Sequence, residues 1–516
     1  MGVAIVWGFA MVGIEAVPVR VEAHARNGLP GVTIVGLPGA AVREARERVR
    51  SGAASSGMPL PAKRITINLS PGDVPKEGPG FDLPVALATL AACGYIPAER
   101  LREVGAVGEV SLEGLVRPTR GVFPAAESAG RLQLRLLITP VEGVPMADVV
   151  GTVPVLGVRS LAEAVLAVKD SVARERLTQR NARWSRLWAG SSAPGGPPTA
   201  PDLSEIAGLE QAKRALEVAA AGGHHLLLFG SPGVGKTMLA RALPGILPPL
   251  SWEEALEVTR IWNAAGLLPA QSGLMRERPF RAPHHTASRA ALVGGGAMLR
   301  PGEVTLAHHG VLFLDELPEF SRDALEALRQ PLEEGRVVVS RRAGTSTFPA
   351  RCTLVAAMNP CPCGLLGHPE KPCRCSPATV ERYRSRISGP LLDRIDILVE
   401  VPPLTLAALD SSRDATSSAE VRARVIAAQE FRRVRFQGVD PTTLVGREAE
   451  SCLTSEAMRL LREALAREGL SGRAYTRTMR VARTIANLDQ NAAVTVEHVA
   501  EALALRLDDR RLDLFA

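Results

Sequence analysis

Short apolar runs alternate with helical patterns through the first 175 residues. The runs at 17–21, 32–35 and 65–69 are rich in β-branched residues, which favours strands. From Ala41 to Ser55 the apolar positions recur at the helical period instead. This alternation predicts an α/β unit at the start of the chain.

The rest of the chain divides into two further patterns. Almost entirely apolar runs at 226–229, 311–314 and 353–358 are typical of buried strands. After residue 404 only the helical period remains, at 421–431, 455–467, 475–488 and 496–505. The chain is therefore predicted to continue as α/β and to end in a helical unit.

The first buried run leads into a glycine-rich turn and then a helical pattern, which together form a P-loop. Glycines allow backbone N–H groups to surround phosphate oxygens, while a lysine charge faces the outer phosphates and a threonine hydroxyl can bind Mg²⁺. We expect ATP to bind here. The turn consists of Gly230, Ser231, Pro232, Gly233, Val234, Gly235, Lys236 and Thr237.

Polar residues follow the other two buried runs. Asp315 and Glu316 come directly after the second run, and Asn359 directly after the third. Asp315 can hold the water shell of Mg²⁺, and Glu316 can polarise the attacking water. Asn359 can orient that water, with structural capping as the alternative. The sequence thus predicts a nucleoside triphosphatase with ATP and Mg²⁺ as ligands.

An insertion separates the P-loop from Asp315. Its three consecutive glycines, 294–296, cannot form a stable helix interior and suggest a mobile loop. The adjacent His284 and His285 are expected to point apart, which makes a shared metal ion unfavourable. Beyond Glu316, the pattern from Ser321 to Glu334 predicts one amphipathic helix.

Four of the seven cysteines form two close pairs, with nine residues between the pairs. Four thiolates suit tetrahedral Zn²⁺, and His368 could replace one of them. The spacing within each pair is tighter than the usual C-x₂-C, so free thiols remain the alternative. The pairs are Cys361 with Cys363 and Cys373 with Cys375.

Two arginines are candidates to sense or complete the nucleotide site. Arg394 lies in a segment that begins with Gly389-Pro390, from which it could reach the γ-phosphate of a neighbouring subunit. The alternative is a local salt bridge with Asp393 or Asp396. Arg477 lies near the start of the third helical pattern of the C-terminal unit, with Arg473 and Arg480 as neighbouring alternatives. This unit looks like the small lid domain of an AAA+ ATPase.

Composition and charge add broad limits. A length of 516 residues suggests roughly three domains, and the net charge of +7 weakly favours a polyanionic partner. The apolar start, Val3 to Ile14, is too short for a membrane span and lacks the basic region of a signal peptide. We expect a cytoplasmic protein without membrane contact.

The segment from Pro75 to Asp82 looks like the active-site loop of Lon-type proteases. Gly80 stands where that family has its nucleophilic serine, and the downstream stretch from Gly121 to Ala126 offers no lysine base. A serine nucleophile needs a base within reach, and here both are missing. The N-terminal unit is therefore predicted to share the Lon-like (ribosomal S5-like) α/β fold without catalysis.

The motifs define expected boundaries. The Lon-like domain is expected at 1–175, and a linker at 176–202 that contains a run rich in serine, proline and glycine. A P-loop AAA+ core with its insertion and cysteines is expected at 203–403. The helical lid is expected at 404–516.

The ordered motifs resemble those of the ComM (YifB) family of magnesium-chelatase-like AAA+ proteins. They include G-S-P-G-V-G-K-T, P-H-H-T-A-S, L-F-L-D-E-L-P-E-F, A-A-M-N-P-C-P-C-G and S-G-P-L-L-D-R-I-D. The resemblance implies a homohexameric ring that acts on branched or single-stranded DNA and promotes branch migration in recombination and natural transformation, with a recombinase as a possible partner.

The same resemblance implies roles for single residues. Gly230 to Thr237 would be Walker A, and Asp315 and Glu316 Walker B. Asn359 would be sensor 1, Arg394 an arginine finger and Arg477 sensor 2. Two other classes stay open: a metal-chelatase-type motor or remodelling ATPase with a protein partner, and an ATP-dependent protease, which the missing catalytic pair disfavours.

Overall fold

The computed structural model describes residues 3–188, 200–268, 273–295, 300–341, 344–368, 371–403, 416–435, 452–468 and 472–506. The N-terminal unit contains a seven-stranded mixed sheet in the order β3-β4-β2-β1-β5-β8-β9 and a small hairpin, β6-β7. The strands are β1 (Ala4–Val12), β2 (Glu15–Arg26), β3 (Gly31–Val35), β4 (Arg64–Ser70), β5 (Val104–Ala106), β6 (Glu109–Val110), β7 (Val116–Arg117), β8 (Leu136–Pro140) and β9 (Val155–Val158).

Six helices accompany this sheet. The central one, α2, is buried along its whole length, so it forms the core of the unit together with the inward side chains of β1, β2 and β4. The α/β prediction for this part of the chain is confirmed. The helices are α1 (Ala40–Ser55), α2 (Asp82–Ala92), α3 (Val122–Arg131), α4 (Val144–Asp148), α5 (Leu161–Lys169) and α6 (Ser171–Trp188).

The second unit is built on a five-stranded parallel sheet in the order β11-β12-β15-β10-β16. A separate hairpin, β13-β14, lies beside it. The strands are β10 (Leu226–Phe229), β11 (Phe280–Arg281), β12 (Val311–Leu314), β13 (Arg336–Arg341), β14 (Gly344–Pro349), β15 (Thr353–Met358) and β16 (Ile397–Glu400). All three buried runs are therefore strands, as predicted.

Nine α-helices lie among the described residues of this second unit. They are α7 (Glu210–Gly222), α8 (Lys236–Ile246), α9 (Trp252–Ala265), α10 (Arg289–Val293), α11 (Glu303–Leu306), α12 (Arg322–Ala327), α13 (Arg329–Glu334), α14 (Pro377–Arg384) and α15 (Gly389–Leu392).

Both faces of the parallel sheet are covered, which explains its unbroken apolar strands. Leu226 and Leu228 of β10 belong to one core cluster, while Leu227 and Phe229 belong to the cluster on the opposite face. The first cluster also contains residues of the C-terminal helices. These are α16 (Ser418–Arg435), α17 (Ser455–Glu468), α18 (Gly472–Leu488) and α19 (Val496–Ala504).

A buried side chain and an ion pair are among the contacts that attach the N-terminal unit to the ATPase unit. Ile14, in the turn between β1 and β2, is buried within the second cluster of the ATPase unit. Glu127 of α3 accepts two hydrogen bonds from Arg260 of α9, at 2.5 and 2.8 Å. The segment between α8 and β11, which carries α9, thus connects the N-terminal unit to the parallel sheet.

Two expectations about local structure were wrong. Helix α6 extends to Trp188, through the first part of the expected linker, and residues 189–199 lie outside the described residues. The helix expected from Ser321 to Glu334 is two helices, because Pro331 has no N–H to donate to the carbonyl of Ala327. The expectation that the three glycines lie outside a helix interior is confirmed for Gly294 and Gly295, which follow α10, and Gly296 lies outside the described residues.

None of the described helices is long and apolar enough to cross a membrane.

Candidate nucleotide site

The predicted P-loop, carboxylates and Asn359 meet at one edge of the parallel sheet. β15 lies between β10 and β12, and the three strands run in the same direction. The residues that follow them therefore converge at their carboxyl ends, where ligands bind in sheets of this kind. Strand order, which the sequence does not reveal, is what brings Asn359 between the P-loop and Asp315.

Lys236 begins α8 and is only 8% exposed. Its ammonium donates hydrogen bonds to the carbonyls of Gly230 (2.5 Å) and Ser231 (2.9 Å) and to Oδ1 of Asn359 (3.0 Å). Burial lowers its pKa to about 8, an effect that the Asp315 carboxylate partly opposes. The charge is held by neutral oxygens, which an anionic ligand can replace.

The backbone around the ammonium is open enough for phosphate groups. Gly233 and Gly235 have positive φ angles of 80° and 95°, a conformation that favours glycine. A Cβ atom at Gly233 would meet nothing within 4 Å. The conformation and the open space fit a phosphate-binding loop.

Thr237 and Asp315 are in direct contact. The Thr237 hydroxyl donates to Oδ2 of Asp315 at 2.9 Å, and the other carboxylate oxygen accepts the backbone N–H of Glu316 at 2.9 Å. A hydroxyl and a carboxylate at this position are oxygen ligands of the kind that Mg²⁺ prefers. These two predicted ligands of Mg²⁺ are thus adjacent and fit the ion.

Glu316 has a histidine partner that the sequence analysis missed. Nδ1 of His285 lies 3.2 Å from Oε2 of Glu316. Strand β11 pairs with β12, so the segment after β11 lies beside the residues that follow β12. The expectation that the two histidines point apart was wrong, because their ring centroids lie only 4.1 Å apart, with the ring planes tilted by 33°. The Pro-His-His segment follows β11 closely in the sequence, and this closeness was the signal from which the contact with Glu316 could have been found.

The four predicted zinc ligands form a compact cluster. Sγ of Cys361 lies 3.4 Å from that of Cys363 and 3.6 Å from that of Cys373, and all four sulfurs lie within 4.8 Å of one another. Tetrahedral Zn²⁺ with bonds of about 2.3 Å would hold its sulfurs about 3.8 Å apart. The arrangement, which includes Cys375, therefore fits a four-thiolate zinc site.

This cysteine cluster, Cys361, Cys363, Cys373 and Cys375, is adjacent to the P-loop. A Cβ atom added to Gly364 would lie 2.4 Å from Cδ of Pro232, and Gly364 has a φ of 75°. Only glycine therefore allows this close approach. The conformation of the cysteine segment can directly affect that of the phosphate-binding loop.

A second group of metal-binding residue types, Glu257, His308 and His309, is held together by hydrogen bonds. Nδ1 of His308 accepts the backbone N–H of Arg351 at 3.0 Å, so a neutral ring carries its proton on Nε2, which lies 2.8 Å from Glu257. Burial lowers the pKa of His308 to about 4, which favours that neutral ring. This cluster links α9 to the residues before β12.

The two predicted arginines form their hydrogen bonds and ion pairs with described residues outside the P-loop and its carboxylates. Arg394 donates to the carbonyls of Arg329 (3.0 Å) and Pro390 (2.5 Å) and pairs with Glu333. The expected alternative partners were therefore wrong, since neither Asp393 nor Asp396 pairs with it among the described residues. Instead, Asp393 pairs with Arg477.

Arg477 is buried where α18 meets the segment between α15 and β16. It donates to Oδ1 of Asp393 at 3.2 Å and to the carbonyl of Ile395 at 3.3 Å. Its position ties the C-terminal helices to the segment that carries Arg394. A movement of these helices would therefore be transmitted to that segment.

The parallel sheet, the P-loop, the paired carboxylates and the attached helices together define a P-loop ATPase of the AAA+ class. Comparison with known proteins agrees. The family model described as magnesium chelatase, subunit ChlI, matches residues 202–409. A second model for subunit ChlI of Mg-chelatase matches residues 21–143, and one for the ChlI C-terminal part matches residues 415–506.

Similar proteins extend over the whole chain. The YifB protein of Salmonella typhimurium is 44% identical over 99% of this chain and 98% of its own. The competence protein ComM of Haemophilus influenzae is 41% identical over 98% of both chains. The Lon protease of Mycolicibacterium smegmatis is 30% identical over 32% of this chain and 22% of its own. The chain belongs to the YifB/ComM family of magnesium-chelatase-like AAA+ proteins.

Proposed function

We propose that this protein is an ATP-driven ring motor on DNA that promotes branch migration during homologous recombination and natural transformation. The observation that carries the proposal is the full-length similarity to the competence protein ComM. The assembled nucleotide site supports the ATP-dependent part. A net charge of +7 is compatible with a polyanionic partner.

ATP hydrolysis would use the residues at the sheet edge. Lys236 would exchange the carbonyls of Gly230 and Ser231 for the outer phosphates. Asn359 would orient the attacking water, and Glu316 would accept its proton. Thr237 and Asp315 would hold Mg²⁺, which neutralises phosphate charge when bound.

Assembly would complete this machinery. We propose a homohexamer in which Arg394 acts on the nucleotide of the neighbouring subunit and Arg477 reports the position of the helical lid. The contact of the buried Arg477 with Asp393 supports a link between the lid and Arg394, because Asp393 directly precedes Arg394. The cysteine cluster would hold a structural Zn²⁺.

A metal-chelatase-type motor or a remodelling ATPase with a protein partner is the second candidate. It is favoured by the description of all three matching family models as parts of subunit ChlI. A motor of that class would respond to a protein partner, and its ATPase rate would be independent of DNA. DNA dependence of hydrolysis therefore separates the two candidates.

The test measures ATPase rate and branch migration by the full-length protein with forked or four-way DNA. We expect branched DNA to raise the ATPase rate, and ATP to drive conversion of a four-way junction to duplex products. Binding should weaken steeply with salt, as phosphate contacts require. If the protein binds no DNA at low salt and its ATPase rate is unchanged by DNA, the proposal is wrong.

Two variants control this test. Lys236→Ala should lose nucleotide binding, whereas Glu316→Gln should bind ATP but not turn it over, because only activation of the water is removed. Both should fail to migrate branches. Normal turnover by Glu316→Gln would refute the assignment of the base without affecting the conclusion on DNA.

A further inference from the structure

A cavity of about 570 Å³ lies between the N-terminal unit and the ATPase unit. One wall is the segment from Glu77 to Phe81, which looks like a protease active-site loop, and the other is the end of α9. The volume is within the range of pockets that bind small molecules. None of the roles proposed above uses this cavity.

The cavity wall includes a buried polar group without a partner. Asn263 of α9 is 5% exposed, and its Oδ1 forms no hydrogen bond with any described residue. An amide oxygen that is buried without a hydrogen-bond partner destabilises the ligand-free protein. The oxygen itself is enclosed, and a half-turn of the carboxamide would place it in the position of the amide nitrogen, where it can accept a hydrogen bond from an N–H group of a ligand in the cavity.

The charged groups of the wall favour a monoanion. Arg120 and Arg300 both line the cavity, as does Glu77, and no ion pair joins these three among the described residues. Their charges sum to a single positive charge. A Cβ atom at Gly266 would lie 2.6 Å from Nε of Arg120, so this arginine reaches from the N-terminal unit to the end of α9.

A helix N-terminus adds to this positive potential. Gly121, which lines the cavity, is the N-cap of α3 and supplies no side-chain cap to the ten-residue helix. The first N–H groups of such a helix have no intrahelical acceptor and favour an anion. The remaining wall is largely apolar, with Phe9, Met11 and Phe81 among its residues.

We propose that this cavity binds an N-acylated apolar amino acid, either as a free small molecule or as the end of a polypeptide chain. The carboxylate would face Arg120, Arg300 and the N-terminus of α3. The amide N–H would donate to Asn263, and the apolar side chain would contact the aromatic and methionine side chains. A bound ligand would bridge the two units of the protein.

The test is calorimetric titration of the full-length protein with N-acetyl-leucine and with its uncharged amide. We expect a Kd on the order of 1 mM for the acid, given its few non-hydrogen atoms, and binding about tenfold weaker for the amide. A pentapeptide that ends in leucine should bind more tightly if chain ends are the natural ligand, and equally well if small molecules are.

Matched variants locate the binding. Gly80→Met should abolish it, because a Cβ at Gly80 meets nothing closer than 3.4 Å and the longer side chain can fill the cavity. Gly72→Met, in the same unit with nothing within 4 Å, should bind as the wild type does. Arg120→Gln should remove most of the preference for the acid over the amide.

Asn263→Leu distinguishes a ligand site from an ordinary hydrated pocket. Removing an unpaired buried amide should raise the melting temperature of the ligand-free protein, and the variant should lose the stabilisation that N-acetyl-leucine gives the wild type. The inference is wrong if the wild type shows no saturable binding, or if Gly80→Met binds as well as the wild type does. So would a lower melting temperature in Asn263→Leu.

Discussion

At the residue scale, Lys236 couples nucleotide binding to proton uptake. Its pKa of about 8 in the free protein leaves about half of the amine uncharged near pH 8. Phosphate groups favour the charged form and raise the pKa, so ATP binding near pH 8 to 9 should take up protons, with little uptake near pH 6. Titration calorimetry of Glu316→Gln in buffers of different ionisation enthalpy measures this uptake.

Lys236→Arg in the Glu316→Gln background is the control for that experiment. A guanidinium stays charged throughout this pH range, so the proton uptake should disappear even if binding is weaker. An equal uptake in the arginine variant would assign the proton to another group.

His285 is expected to position Glu316 for hydrolysis. His285→Ala should lower turnover about tenfold with little change in ATP affinity, because the contact at 3.2 Å orients the carboxylate that accepts a proton. His285→Asn should recover part of the rate, since the asparagine amide nitrogen occupies the place of Nδ1. Steady-state rates and nucleotide affinity separate the two effects.

His284→Ala is the matched control, because Nδ1 of His284 lies 3.0 Å from the Thr286 hydroxyl and not beside Glu316. Its turnover should stay closer to the wild-type rate. His285→Ala should also have no further effect in a Glu316→Gln background. Equal losses in the two histidine variants would mean that the segment matters only as a whole.

At the element scale, the segment from Cys361 to Cys375 is expected to depend on zinc. The purified protein should contain about one zinc per chain, and Cys363→Ser or Cys373→Ser should lower both zinc content and melting temperature. ATPase activity should fall as well, because Gly364 contacts Pro232 of the P-loop. Elemental analysis and a chelator titration provide the measurements.

Cys93→Ser controls for the loss of a thiol as such, since Cys93 follows α2 in the N-terminal unit, away from the cluster. It should keep its zinc and its activity. If metal-free protein is fully stable and active, the zinc prediction is wrong and the four cysteines are free thiols.

At the scale of the whole molecule, Arg394 is expected to act between subunits. Arg394→Ala should bind ATP almost normally but turn it over on the order of 10³-fold more slowly. Mixed with Lys236→Ala, it should regain some activity, because some interfaces then pair an intact pocket with an intact finger. ATPase assays on mixed rings of known composition measure the recovery.

Glu333→Gln tests whether Arg394 acts only through its own subunit. This change removes the salt bridge but keeps the arginine. If the role of Arg394 is purely structural, Glu333→Gln should reproduce most of the loss in turnover. If Glu333→Gln turns over ATP at nearly the wild-type rate, and mixed rings recover activity, Arg394 acts on the nucleotide of the neighbouring subunit.

The sequence by itself determined those features whose residues all lie within one short segment of the chain. The strands at 226–229, 311–314 and 353–358 follow from apolar runs that are buried on both faces. The P-loop from Gly230 to Thr237 follows from glycine spacing between a strand and a helix. The spacing of the four cysteines likewise indicated a cluster before any fold was known.

Only the tertiary structure decided which distant segments meet. The parallel order of β11, β12, β15 and β10 brings Asn359 into hydrogen-bond contact with Lys236 and His285 into contact with Glu316. Arg394 meets Glu333, more than fifty residues away, instead of its neighbours. The cavity beside Asn263 forms because two separately patterned units pack together. Such contacts depend on strand order and packing between elements, which apolar periodicity within one segment does not specify.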